Sequence, residues 1–532
     1  MMLTDAKRRH AVLAAALAAP FALAGPASAQ ESTVTLRSLD GATALTGQLV
    51  EFDGSSYRLR TSLGTLAIDA GQVTCEGAGC PVDELFGAEF GVFGSNTIGD
   101  QLMPALIEGY AFSLDADFER ELSANNNEST LRIVHPDGRE MAAIDLKANG
   151  STGSFQGIAT GQAAIGMSAR AMRDSDAETL AAAGMLDLRD TPNEHVLALD
   201  GLIVITHPDN PIRALSMLDI ADIFGGEITN WSEVGGLDLD INVYSRDRAS
   251  GTFDTFESLV LRPAGLQIAP GAELFEDNAL LSDSVANDLA GIGFTGLAYQ
   301  RAAKTLALRL DCGLVSTATT FSMKTEEYPL SRRLYLYSNP NDDTKHAEDL
   351  VNFALSPDAQ PLIEEAGFIS LTPETRGLAE EGERIIYTMT AEDEFSLGLM
   401  QQMLGELRDA ERMSVAFRFT PGSSRLDPRS LAEVRRLADA IAAGEFVGRE
   451  IILAGFTDSI GQFDLNRQLG LRRAAGVRDE IVTMIGEGAL SRSPVLVQGY
   501  GELTPVGCND SFAGRFANRR VEVWVREIGI DG

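Results

Sequence analysis

The sequence predicts an α/β central region flanked by a small antiparallel β-unit and a C-terminal α+β domain. Three observations carry this. Residues 33–74 alternate apolar and polar positions between DG and GS turns, the period of half-buried strands. Residues 84–370 alternate short apolar strands with helical patterns, the texture of strand–helix units. Residues 412–532 read strand, helix, strand, helix, strand, strand.

The β-unit comprises VTLRSL, ALTGQLVEF, SYRLRT and TLAIDA, a curled or barrel-like sheet spanning residues 30–82. Cys75 and Cys80 frame CEGAGC, where two glycines permit a tight loop, so these cysteines are expected to pair. Cys312 and Cys508 are far apart in sequence. A buried free thiol for each and a bridge between domains both remain open for them.

The central region, residues 83–371, begins with EFGVFG and a glycine turn, and TIGDQLMPALIEGYAFSL then reads as a helix. STLRIV, TGSFQGIATG and AAIGMSA continue the alternation. LIVITHP is a buried strand before a helix at SMLDIADIFGG, INVYSR is a strand before a helix from Ser250, and RRLYLYS is a strand before two closing helices. The strands are expected to be mostly parallel, with ligands at their C-terminal ends near helix N-termini. Residues 372–411 are acidic and read as a linker ending in an amphipathic helix, whose Met and Leu positions follow packing periodicity. In the last domain Asp427 caps a helix with Pro428 at its first turn.

A chain of 532 residues exceeds one core and predicts about three or four domains. Its 77 acidic and 43 basic residues give a net charge of −34, which argues against nucleic acid and anionic membrane surfaces as partners. Residues 1–29 read as a secretory signal: Lys7, Arg8 and Arg9, an apolar AVLAAALAAPFALA, and Ala27-Ser28-Ala29 before Gln30. No later stretch reaches the ~18 uninterrupted apolar residues of a spanning helix. The mature chain is expected to be exported, and export permits disulfides.

Three turns at strand-to-helix junctions carry the chemistry: GSNT at 94–97, GSTGS at 150–154 and SRDRASGT at 245–252. Hydroxyls, backbone N–H groups and the positive end of a helix dipole suit a small anion. A plain helix cap explains any one of them alone; three in one region exceed what capping requires.

These turns, with IGMSARAM, ITHPDNPI, LDIADIFGGEITNW and TEEYPLSRRLYLY in order, resemble the phosphate-binding proteins of ABC importers. The resemblance implies the type 2 periplasmic binding-protein fold, two α/β lobes closing over a dehydrated oxyanion, and an ABC permease as partner. Carried over by position, it implies phosphate ligands at Thr97, Ile98 (through its backbone N–H), Ser151, Arg246, Ser250, Gly251 and Thr252, with Arg246 pairing directly with the anion. The family aspartate that selects phosphate over sulfate is replaced by Ala169, so sulfate or an organic phosphate becomes admissible.

The stretches TDSIG, NRQLGLRRA and NRRVEVWV resemble the OmpA-like peptidoglycan-binding domain. Asp458 and Arg473 alone read as a salt bridge or as the two grips of a zwitterion. The resemblance implies the second, with the diaminopimelate of the stem peptide as ligand and Asn466 as the motif asparagine. It also implies attachment to the cell wall or outer membrane. Gly470 stands where the family usually has serine, a change expected to loosen a local cap.

Five histidines occur, and no HExxH, nucleophile elbow or CxxC appears. The sequence is therefore read as a binding protein with no enzymatic step, no cofactor and no metal. A structural wall protein whose central region has lost its ligand is the alternative.

Overall fold

The computed structural model describes residues 33–528, apart from 39–42, 53–55, 63, 78–79, 81–85, 124–126, 190, 249, 392–394 and 420–424. The secretory signal read at residues 1–29 lies outside the described residues. Two units separate, residues 1–84 and 85–532.

In the first unit the alternating pattern builds an antiparallel sheet with strand order Gly64–Asp69, Ser56–Thr61, Ala44–Phe52, Thr33–Ser38, Val73–Glu76. Its inward positions place Val34, Leu36, Tyr57 and Leu59 in a small core. Among the described residues the outer strands do not pair with each other, so the sheet they form is open rather than closed into a barrel. Cys75 and Cys80 form a disulfide.

The second unit begins with two lobes threaded by one continuous ladder. In the first lobe the strand Ala88–Gly94 lies between parallel neighbours Glu140–Ala148 and Ile165–Ser168. In the second, Asn242–Arg246 lies parallel to Glu273–Phe275 and Gly291–Gly296. Two long strands, Glu194–Thr206 and Ser331–Ser338, run antiparallel to each other and cross from lobe to lobe. Leu197 and Ala198 belong to the first core while Leu199 and Leu202 belong to the second, so the crossing point falls within a few residues. The sheet is thus mixed rather than mostly parallel, because the crossing strands and the outer hairpin Asp117–Leu122/Glu128–Val134 enter antiparallel. The first predicted helix is broken: a short turn Asn96–Gly99 precedes Leu102–Ser113.

The C-terminal domain is a sheet ordered Thr375–Gly377, Glu411–Arg418, Arg520–Glu527, Arg449–Phe456, Val495–Gly501. The helices Pro428–Ala443 and Phe463–Ile485 pack on one face, through Val434, Leu437, Val477 and Ile481. The segment read as a linker is part of this domain. Thr375–Gly377 supplies an edge strand, and Leu397–Leu407 covers the second face with Leu399, Met400 and Met403 against Phe456, Tyr500 and Trp524. No helix among the described residues is long and apolar enough to cross a membrane.

The C-terminal domain is fastened to the second lobe. Cys312 and Cys508 are joined by a disulfide, which settles the alternative left open by the sequence. Beside it lies a cluster of buried charges. Arg412, fully buried, pairs with Glu327 of the lobe, with Glu381 at 3.3 Å and with Glu522 at 3.2 Å. Arg384 reaches Glu522 at 2.6 Å and Arg520 reaches it at 2.8 Å. Glu326 of the lobe takes Arg429 and Arg333, and Arg418 donates to the Thr325 carbonyl at 2.6 Å. Burial alone would raise the Glu327 carboxyl, but the guanidiniums of Arg412, Arg384 and Arg520 together outweigh it and hold the group well below the usual carboxylate range. Glu326 is lowered in the same way, burial being overcome by Arg429 and Arg333.

The net worth of such a cluster is small, whereas removing one partner costs about 3–5 kcal/mol because opposite charges stay buried. Both glutamates have lowered folded pKa values. Their stabilisation is therefore present above the unfolded value near ~4.3 and is lost as the pH falls toward the folded values. Trp231 lies in the second lobe and Trp524 in the C-terminal domain, both fully buried, so single-tryptophan proteins report each separately. In urea at pH 7 the two midpoints are expected to coincide in the parent. They should separate in Glu327→Ala, which should lose about 3–5 kcal/mol, and the parent should come to resemble that variant as the pH drops below ~4. Unchanged midpoints in Glu327→Ala would show that the cluster does not couple the domains.

Candidate functional site

The predicted turns meet at the mouth between the lobes. The chain leaves the strand Ala88–Gly94 at Ser95, whose N–H donates to the Met167 carbonyl at 2.9 Å. The Asn96 Oδ1 accepts from the Gly150 N–H at 3.0 Å, tying the first turn to the second. Ser151 opens the helix Ser151–Ala159, and its Oγ accepts from the Ala169 N–H at 3.0 Å. Across the cleft, Ser250 caps the helix that begins at Gly251, its Oγ accepting from the Thr252 N–H at 3.2 Å. A Cβ on Gly251 would stand 2.4 Å from the Thr97 Oγ1. Glycine there lets the turns of the two lobes touch.

The charge at this junction comes from Arg332, which sequence reasoning did not single out. It sits at the start of a crossing strand, and its Nη2 donates to the Thr97 Oγ1 at 3.0 Å and to the Gly251 carbonyl at 3.3 Å. Its Nε donates to the Asp200 Oδ2 at 3.1 Å on the other crossing strand, and the Thr255 hydroxyl donates to the same oxygen at 3.1 Å. Arg170 adds a second guanidinium, held by Asp176 at 2.6 and 3.2 Å and donating to the Thr152 Oγ1 at 3.1 Å. The cleft has a volume of about 690 Å³. Ser95, Thr97, Ser151, Ala169, Ser250 and Gly251 line it together with six arginines, and Asp254 is its single carboxylate.

Arg246, expected to hold the anion, is not among the lining residues. Its strand pairs with Glu273–Phe275, and the guanidinium donates to the Phe275 carbonyl at 3.1 Å and the Glu276 carbonyl at 2.7 Å. Burial pulls its pKa down from the ordinary value, with Asp247 opposing. Ile98 and Thr252 likewise fall outside the lining; the Ile98 side chain is fully buried in the core of the first lobe.

In the C-terminal domain Asp458 follows the strand Arg449–Phe456 and Arg473 rises from the helix Phe463–Ile485. They converge without pairing. The Asp458 Oδ2 instead accepts from Arg519 at 2.8 Å, and its Oδ1 accepts from the Ile460 N–H at 3.2 Å. The Arg473 Nε and Nη1 are buried with no hydrogen-bond partner among the described residues. Burial, then the Arg519 charge, lowers Arg473 to about 10. The guanidinium lies 5.1 Å from the Phe419 ring centroid, and its two buried nitrogens without a hydrogen-bond partner are costly unless a ligand anion completes them. Asn466 donates to the Asp458 carbonyl at 3.3 Å and to Glu502 at 3.1 Å, which holds the loop in place. Gly470 is a close-packing position rather than a loosened cap, since a Cβ there would lie 2.5 Å from the Gly455 carbonyl oxygen. In NRRV, Arg519 belongs to the Asp458 site while Arg520 belongs to the buried cluster.

The described histidines lie elsewhere. His346 bonds the Tyr110 hydroxyl at 2.9 Å, and burial pushes His195, 3.0 Å from the Ser338 hydroxyl, down to about 4.

Comparison with known proteins agrees with this division. Residues 133–358 match the PBP superfamily domain and residues 418–519 match the OmpA family. The phosphate-binding protein PstS of Borreliella burgdorferi is 27% identical over 197 residues, covering 35% of this chain and 68% of that protein. PstS of Staphylococcus saprophyticus is 24% identical over 295 residues, covering 53% and 89%. Among solved structures, an ABC-type phosphate transport receptor from Vibrio cholerae is 26% identical, covering 53% of this chain and 99% of its own, with a TM-score of 0.40. The chain thus carries two separate matching segments, one similar to the PBP superfamily domain and, C-terminal to it, one similar to the OmpA family.

Proposed function

We propose that this protein binds phosphate or a similar tetrahedral oxyanion in the envelope and is held to peptidoglycan by its C-terminal domain. The observation that supports it best is the convergence of three hydroxyl-bearing turns and Arg332 on one cleft. In this reading the anion takes the hydroxyls of Thr97, Ser151 and Ser250 and the backbone N–H groups around Gly251. Arg332 and Arg170 supply the charge, already oriented by Asp200 and Asp176. Such held guanidiniums lose little entropy on binding. The protein performs no chemical step; it captures the anion for an uptake system or a sensor.

The wall reading gives the Asp458 carboxylate to the ammonium of diaminopimelate and Arg473 to its carboxylate, with Arg519 released from Asp458 or sharing it. What supports it is the unpaired, buried Arg473 beside a carboxylate already satisfied by another residue.

Calorimetry of the full chain tests the cleft. Phosphate and sulfate should both bind, within about tenfold of each other, because Ala169 offers no carboxylate to reject an unprotonated anion. Arg332→Ala should bind at least tenfold more weakly, a loss above ~1.4 kcal/mol. No heat with either anion in the parent would favour a structural wall protein instead. In pull-down with diaminopimelate-type sacculi, Asp458→Ala and Arg473→Ala should each abolish retention while circular dichroism stays unchanged. Retention equal to the parent would make that pair structural.

A further inference from the structure

The cleft holds more positive charge than one oxyanion needs. Six arginines face one carboxylate within it, in a chain whose net charge is −34. They divide into two sets. Arg170, Arg332 and Arg333 are anchored by Asp176, Asp200 and Glu326 at the back of the cleft. Arg173, Arg248 and Arg262 are exposed. Arg173 follows the strand Ile165–Ser168 of the first lobe, whereas Arg248 and Arg262 belong to the second. Arg262 reaches Glu257 at 2.9 Å; Arg173 and Arg248 have no ion-pair partner among the described residues. They line one cleft from different lobes, and exposed like charges brought nearer as lobes close would repel. An anion between them removes that repulsion.

The cleft has room for two such groups. Five heavy atoms, each given the ~30 Å³ of a water, make an orthophosphate of on the order of 150 Å³, against a cleft of about 690 Å³.

We propose that the ligand carries two phosphate groups, as a diphosphate or an organic bisphosphate. This deepens, and rests on, the oxyanion reading above. One phosphate occupies the turns beside Arg332, and the second lies outward between Arg173 and Arg248, bridging the lobes. A dianionic outer group closes the cleft in a way a single phosphate at the turns does not.

Calorimetry of the full chain with orthophosphate, glycerol 3-phosphate and inorganic pyrophosphate tests this. Pyrophosphate should bind at least tenfold more tightly than orthophosphate, with glycerol 3-phosphate close to orthophosphate. In the double variant Arg173→Ala/Arg248→Ala that advantage should shrink to within about threefold. Equal affinities for pyrophosphate and orthophosphate would overturn the proposal while leaving the oxyanion reading standing. So would an advantage that survives the double substitution, or a glycerol 3-phosphate gain as large as that of pyrophosphate. Heat from none of the three would overturn the oxyanion reading itself.

Discussion

The guanidinium of Arg332 is the contact on which the cleft depends. It starts one crossing strand, is anchored to Asp200 on the other, and reaches Thr97 of the first lobe and the Gly251 carbonyl of the second. One side chain therefore sees both walls and the junction between them. Because Asp200, itself held by the Thr255 hydroxyl, already takes the Nε edge of the guanidinium, the charge stands ready without drifting from the site. Preorganised charge of this kind binds anions better than a flexible surface arginine does.

The second constraint is the buried cluster that joins the lobe to the C-terminal domain. Arg333 lines the cleft and pairs with Glu326, and Glu326 also takes Arg429 of the C-terminal domain. A continuous line of charges thus runs from the cleft to the domain that carries Asp458 and Arg473. With the Cys312–Cys508 bridge beside it, the second lobe and the C-terminal domain present themselves as one body. The cores of the two lobes meet on the crossing strand between Ala198 and Leu199.

Local features were legible in the sequence and distant ones were not. The turns at 94–97, 150–154 and 250–252 announced themselves through composition, since strand-to-helix junctions bearing Gly, Ser and Thr have few uses. Asp458, Asn466 and Arg473 stood in a recognisable order. Arg332 was missed because nothing in SRRLYLY distinguishes it from Arg333; only folding brings it to Thr97, which lies 235 residues away. Arg246 stands apart from the cleft lining, because two of its N–H groups go to the Phe275 and Glu276 carbonyl oxygens, a pairing that only folding sets up. The acidic look of residues 372–411 suggested a linker, yet Glu381 is a buried partner of Arg376, Arg384 and Arg412. Burial of paired charge leaves no trace in composition.

The most direct test of the central claim is to locate the anion. A crystal of the full chain grown with arsenate, a tetrahedral oxyanion with an anomalous signal, should show one peak in the cleft. The account places it within hydrogen-bond distance of the Arg332 guanidinium and of the Thr97 or Ser151 hydroxyl. A peak held by Arg246 away from these turns, or a cleft with no peak at saturating arsenate, would contradict it.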